Sequence, residues 1–352
     1  MRLIQTRPLN CSLFQKKISN QPTITEFTKV DLTGGQEIEG AKMQILDQEG
    51  KVVEEWVSKK EAHVVYALAP GEYILHEEQA PTEQGYVRAE DVKFVVEETG
   101  DVQKVKMEDD HTKVSISKTD ITDGKEIEGA KLQILDQDGE VVESWITGEE
   151  HLIEYLPVGT YTLHEEAAVD GYIVANDVEF TVEETGEIQK VKMEDERAMG
   201  QLVIVKTDTD SKAALEGVEF VLLEKETGKE VGRLKTGKDG KAVSELLPIG
   251  TYENGVFKEP ITYVLKETAT LKGYEKTEEE WEIVFTYQND KTPVIEVVKE
   301  IQNKKIPETP GTVKPGPKTG DDTNWFLPLL ALGVSAGMVA GLLYYRKRHK
   351  KA

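Results

Sequence analysis

One feature constrains this chain more than any other, and it is a repeat. Asp31 to Trp56 and Asp120 to Trp145 align without a gap, with 19 of 26 positions identical. The matched blocks read GQEIEGAKMQILDQEGKVVEEW and GKEIEGAKLQILDQDGEVVESW. Both continue into a Pro-Gly or Pro-Val-Gly turn, then Tyr-x-Leu-His-Glu-Glu, Gly-Tyr and Val-Glu-Glu-Thr-Gly. A divergent third copy starts near Gln201, carries LEGVEFVLLEKETGKEV, LLPIGTY and YVLKETATLKGYEK, and ends its last strand at Asn303. The period of about 88 residues is that of a domain rather than of a solenoid repeat.

Within each copy, short alternating segments rich in Val, Ile, Tyr and Phe are separated by Gly, Asp, Asn and Pro. Turns spaced every 8–12 residues or so mark an all-β sandwich. Asp47 to Gly50 and Asp136 to Gly139 read as hairpin turns. No segment before Trp325 has a helical apolar stripe. Tyr252 to Pro260, where the third copy diverges, reads as a loop, and so does the acidic run Glu278 to Glu280. The expected organisation is an atypical start over 1–21, modules over 22–110, 111–197 and 198–305, and a Pro/Thr/Gly spacer over 306–316.

The formal charge is −23, and the basic tail after Tyr345 contributes +5, leaving −28 for the rest. So acidic a surface repels nucleic acid. Cys11 is the single cysteine, which excludes an intramolecular disulfide. No phosphate-binding, zinc or nucleophile-elbow motif is present, and neither a cofactor nor a metal is expected. His76 and His164 sit beside Glu77 and Glu165, but neighbours in a strand face opposite ways and make poor joint ligands. Trp56 and Trp145, at equivalent positions, read as core or edge packing.

Strand alternation puts residues i, i+2 and i+4 on one face. In the second module this places Lys118 with Val114 and Ile116, Glu165 with Tyr161 and Leu163, and Asp195 with Val191 and Met193. Lys29, Glu77 and Asp109 repeat the pattern in the first module, and Lys206, Glu267 and Asn303 in the third. Nine matched inward polar positions are not accidental. Burying such groups is costly unless they are paired or neutralised. A lysine made neutral by burial is a nucleophile, and a protonated glutamic acid can polarise the acceptor carbonyl and shuttle protons. That chemistry yields a Lys–Asp or Lys–Asn amide; a buried ion pair without a covalent bond is the alternative.

These motifs resemble the prealbumin-like SpaA/Cna B-type domains of Gram-positive pilins and adhesins. The resemblance rests on Ser117-Lys118-Thr119-Asp120, on Tyr161 to Tyr172 around Glu165, and on Met193-Glu194-Asp195. Module one keeps the family's Ala-Pro at Ala80-Pro81; module two has Val169, and module three Thr270, in that loop. The resemblance covers about Thr23 to Lys305. It implies three tandem prealbumin-like (Ig-like) β-sandwich domains with isopeptide cross-links Lys29–Asp109, Lys118–Asp195 and Lys206–Asn303. Glu77, Glu165 and Glu267 would promote them. Such self-crosslinking is a single-turnover maturation, so the chain is not read as an enzyme.

Trp325 to Tyr345 runs 21 residues without a charge, long enough for one transmembrane helix over 325–345, and is followed by the basic tail 346–352. Pro317-Lys318-Thr319-Gly320, within a short motif over 317–321, precedes the span, with Gly316 before it. The order of motif, span and basic tail resembles the cell-wall sorting signal of Gram-positive bacteria, in which Leu precedes the Pro. It implies sortase as a partner, joining Thr319 to a peptidoglycan precursor or a pilin subunit after a membrane-bound stage. An exported protein needs a leader, yet Met1 to Asn20 holds no apolar core of that kind. The start is therefore expected to be misassigned or to belong to a longer surface protein. The expected role is a wall-anchored stalk or pilin at the cell surface. The alternatives are an adhesin whose modules bind a host or matrix ligand, and a tether for an upstream functional domain.

Overall fold

A computed structural model describes residues 22–307. In the first module the strands are β1 Ile24–Asp31, β2 Lys42–Leu46, β3 Val52–Val57, β4 His63–Tyr66, β5 Gly71–Gln79, β6 Tyr86–Val87, β7 Val92–Val96 and β8 Val102–His111. They form two four-stranded sheets, ordered β4-β1-β8-β6 and β3-β2-β5-β7. Phe27, Met43, Ile45, Leu75 and Met107 fill the space between them. The second module repeats this arrangement with β9 Lys113–Asp120, β10 Lys131–Leu135, β11 Val141–Ile146, β12 His151–Glu154, β13 Gly159–Ala167, β14 Tyr172–Ile173, β15 Val178–Val182 and β16 Ile188–Arg197. Among the described residues the one helical element is a 3-10 turn over Thr82–Gln84. The described modules are all-β, as their alternation requires.

The turns are made by the side chains the sequence places in them. Asp47 Oδ1 accepts the backbone N–H of Glu49 and of Lys51, and Gly50 closes the β2–β3 turn at φ +78°. Asp136 and Gly139 do the same between β10 and β11.

The third module is built from β17 Met199–Asp208, β18 Glu219–Glu224, β19 Glu230–Lys235, β20 Lys241–Val243, β21 Leu247–Pro248, β22 Gly250–Glu253, β23 Val256–Pro260, β24 Thr262–Ala269, β25 Glu280–Val284 and β26 Val294–Asn303. Two expectations change here. Tyr252 to Pro260 is not a loop but most of the β22–β23 hairpin, closed by Asn254 and Gly255 at positive φ. Glu280 opens β25 and pairs with Lys266, so the acidic run ends inside a strand.

In every module the first and last strands are parallel neighbours: β1 with β8, β9 with β16, and β17 with β26. The chain therefore enters at one end of a module and leaves at the other. Only Thr112 separates β8 from β9, and only Ala198 separates β16 from β17; both are fully buried.

These joints are packed rather than flexible in composition. Tyr155 of the second module donates its phenol to Asp31 of the first at 2.7 Å and stacks on His111 at 3.9 Å between centroids. At the next joint Arg197 donates to Asp120 and lies over the Tyr252 ring at 4.1 Å. Tyr252 in turn donates to the Gly171 carbonyl at 2.8 Å. The hairpin that distinguishes module three thus docks on module two.

Candidate functional site

The sandwich brings each set of three inward polar residues together. Lys29 on β1 and Asp109 on β8 belong to one sheet, whereas Glu77 on β5 belongs to the facing sheet. Register sets Lys29 opposite Met107, so Asp109, two residues further, shares its face. Lys29 Nζ lies 2.9 Å from Glu77 Oε2 and directly contacts Asp109 Oδ1, with all three residues at most 4% exposed. Module two reproduces the set: Lys118 Nζ is 2.9 Å from Glu165 Oε2 and directly contacts Asp195 Oδ1. In module three Lys206 Nζ is 2.8 Å from Glu267 Oε2 and 2.5 Å from Asn303 Oδ1.

The protons follow from unsatisfied atoms. Glu77 Oε1, Asp109 Oδ2, Glu165 Oε1 and Asp195 Oδ2 are buried without a donor. Two carboxylates against one lysine leave a surplus negative charge, and burial raises the pKa of Asp109 and Asp195, with the adjacent glutamates raising it further against the lysines. Burial thus favours a proton on Asp109 and on Asp195, which removes the surplus charge. In module three Asn303 replaces the acid and Glu267 is the single carboxylate. There burial lowers the Lys206 pKa against the opposing pull of Glu267, favouring the neutral amine.

Sequence reasoning missed several contributors. The backbone N–H of Ala89 donates to Glu77 Oε2 at 2.8 Å, and that of Ala175 to Glu165 Oε2 at 2.6 Å. A backbone amide leaves no residue-type signature. Glu37 and Glu126 accept the backbone N–H of Lys29 and Lys118 and hold the lysine-bearing strand beside the loop that follows it. Glu78 and Glu166 point outward, to Lys42 and Lys131 respectively. His76 and His164 meet Asp91 and Asp177 at 2.7 Å, not the neighbouring glutamates. Trp56 and Trp145 stack on His63 and His151 at the core margin. The sorting motif Pro317 to Gly320, the apolar run Trp325 to Tyr345 and the atypical start lie outside the described residues.

The family description "SpaA: Prealbumin-like fold domain" matches residues 23–111, 112–197 and 200–260, more than half of the chain. The chain belongs to the SpaA prealbumin-like domain family. Its third SpaA match ends before Glu267 and Asn303, in the most divergent module. Among solved structures the chain is similar to the Bacillus anthracis TIE protein, with 27% identity and a TM-score of 0.55, covering 81% of this chain and 51% of that one. It thus spans about half the length of that protein. It is also similar to BcpA, the major pilin subunit of Bacillus cereus, at 15% identity and a TM-score of 0.46, covering 81% of this chain and 100% of that one. No curated protein matches the sequence.

Proposed function

We propose that these SpaA modules form a pilin-like structural stalk at the surface of a Gram-positive cell. In this reading, Lys–Asp and Lys–Asn isopeptide bonds stiffen the modules, and a sortase anchors the chain through Thr319. The observation that carries the reading is the buried contact of Lys29, Lys118 and Lys206 with an acceptor on the last strand and a glutamate on the facing sheet.

Module three gives the clearest proton route. Glu267 Oε2 takes a proton from Lys206 Nζ at 2.8 Å, and the neutral amine attacks Cγ of Asn303. Glu267 Oε1, 2.7 Å from Asn303 Nδ2, delivers a proton to the departing nitrogen. The Cγ–Nδ2 bond breaks as the Nζ–Cγ bond forms, and ammonia leaves. In modules one and two Glu77 or Glu165 takes a proton from the lysine, and the amine attacks Cγ of the protonated aspartate. The Cγ–OH bond breaks as the glutamate relays a proton to the hydroxyl, which leaves as water. The carboxylates do the acid–base work once, and the product is the structure itself.

The mechanical consequence follows from topology. Load entering at Ile24 and leaving at His111 shears β1 against β8. A Lys29–Asp109 bond carries that load directly between adjacent parallel strands and bypasses the rest of the module. It closes a loop of 80 residues, which by analogy with disulfides stabilises by about 4–5 kcal/mol.

Peptide mapping tests the cross-links: linked peptides joining Lys29 to Asp109, Lys118 to Asp195 and Lys206 to Asn303 are expected. Recovery of only the separate, unmodified peptides contradicts the reading. Thr319→Ala is expected to move the chain from the cell-wall fraction to the membrane fraction, and unchanged wall attachment contradicts sortase anchoring at that residue.

A further inference from the structure

Three positions after each glutamate, at the first residue beyond its strand, stand Ala80, Ala168 and Thr270. The two alanines accompany aspartate acceptors, and the threonine accompanies the asparagine. The contacts explain the pairing. Lys206 offers only donors when charged, so Asn303 turns Oδ1 towards it. That leaves the two Nδ2 protons needing acceptors in a site where Asn303 is 2% exposed. One goes to Glu267 Oε1 at 2.7 Å and the other to Thr270 Oγ1 at 2.7 Å. In modules one and two the matching atoms, Asp109 Oδ2 and Asp195 Oδ2, have no donor, and the alanine methyl offers none.

We propose that the residue three positions after the glutamate selects the acceptor chemistry: Thr270 positions Asn303 for loss of ammonia, whereas Ala80 and Ala168 suit an aspartate that loses water. This rests on the isopeptide reading above. With alanine at 270, Asn303 keeps a buried N–H without an acceptor, and the carboxamide is free to rotate away from Lys206. With threonine beside an aspartate, the hydroxyl donates to the acid's second oxygen and favours the carboxylate. A carboxylate is a poor electrophile, because the leaving oxygen must carry protons to depart as water.

The test uses the full chain, made in cells without sortase, sampled over time after synthesis and digested. The readout is the linked peptide between residues 206 and 303, with those of modules one and two as internal controls. Thr270→Ala is expected to slow module-three linkage ~10-fold, while Thr270→Ser stays within ~2-fold of the parent. Asn303→Asp alone is expected to link slowly, and Thr270→Ala with Asn303→Asp to recover, losing ~18 Da where the parent loses ~17 Da. The mirror exchange is Ala168→Thr, slow alone and rescued by adding Asp195→Asn. Rescue by the paired changes separates acceptor selection from simple misfolding. The proposal is overturned if Thr270→Ala links at the parent rate, or if the paired changes link no faster than the single ones. Absence of every linked peptide in the parent chain removes the isopeptide reading, and this proposal with it, by a result distinct from either.

Discussion

Tyr155 donates its phenol to Asp31 Oδ2 at 2.7 Å, across the boundary between the first two modules. Asp31 is fully buried two residues beyond Lys29, and its other oxygen accepts the N–H groups of Thr33 and Gly34. One strand end thus serves both the buried Lys29 site and the joint. Tyr155→Phe keeps the ring stack on His111 and deletes the phenol's contacts with Asp31 and with Thr33 Oγ1. It is expected to cost about 1.5–3 kcal/mol, as for a hydrogen bond to a charged group, and to widen the distribution of intermodule angles. Calorimetry and small-angle scattering check this; an unchanged scattering profile contradicts the latch role.

Gly85 has φ +79°, and a Cβ there would come within 2.3 Å of the Tyr155 carbonyl oxygen. Gly85→Ala is therefore expected to disrupt the first joint by more than 1 kcal/mol, from backbone strain and collision together. Gly50→Ala has a similar φ but open space around its Cβ, and is expected to cost less. Thermal denaturation of the two variants ranks them, and equal losses contradict the packing argument.

Acid is expected to weaken the joints. Burial pushes the Asp31 and Asp120 carboxyls up, but hydrogen bonds outweigh it: Thr33, Gly34 and Tyr155 at Asp31, and Thr122, Tyr172 and Arg197 at Asp120. Both are held below the usual carboxylate range. A depressed folded value gives stability that is present above the unfolded value near ~3.9 and lost as pH falls through the folded one. Asp109 and Asp195, raised by burial, have the opposite sign while they remain free acids: they favour the fold in acid and lose that contribution as pH rises. Under the proposed cross-linking the chain has no such free acids, because Asp109 and Asp195 become amides. Its melting temperature is expected to fall from pH 5 towards pH 2, with a shallower fall in Asp31→Asn. A rise over that range contradicts the assignment.

Glu165→Ala removes the proposed proton shuttle of module two and leaves Lys118 and Asp195 paired in a partly emptied site. The linked peptide of that module alone is expected to disappear, with a loss of about 4–5 kcal/mol from the unclosed 77-residue loop. Module-two linkage at the parent level shows that Glu165 has no role in forming the bond.

The sandwich and its buried triads were legible because both depend on period-two alternation within single strands. Lys29, Phe27 and Thr25 share a face of β1, and the repeats triplicate the message. The joints were not legible. Tyr155 aligns with Ala67 in the first module, so repetition hides the residue that acts, and its partner Asp31 is 124 positions away. The β22–β23 hairpin escaped because its Gly, Asn and Pro residues read as loop chemistry, while its aromatic residues pack on module two. Thr270 attracted notice only as a departure from Ala-Pro; its meaning needed the Asn303 geometry.

The measurement that bears most directly on the central claim is the intact mass of the full chain made without sortase, compared with its sequence mass. Two water losses and one ammonia loss give a deficit of ~53 Da, and Glu165→Ala reduces it by ~18 Da beyond the substitution itself. A parent mass equal to the sequence mass leaves three buried ion pairs and contradicts the isopeptide account.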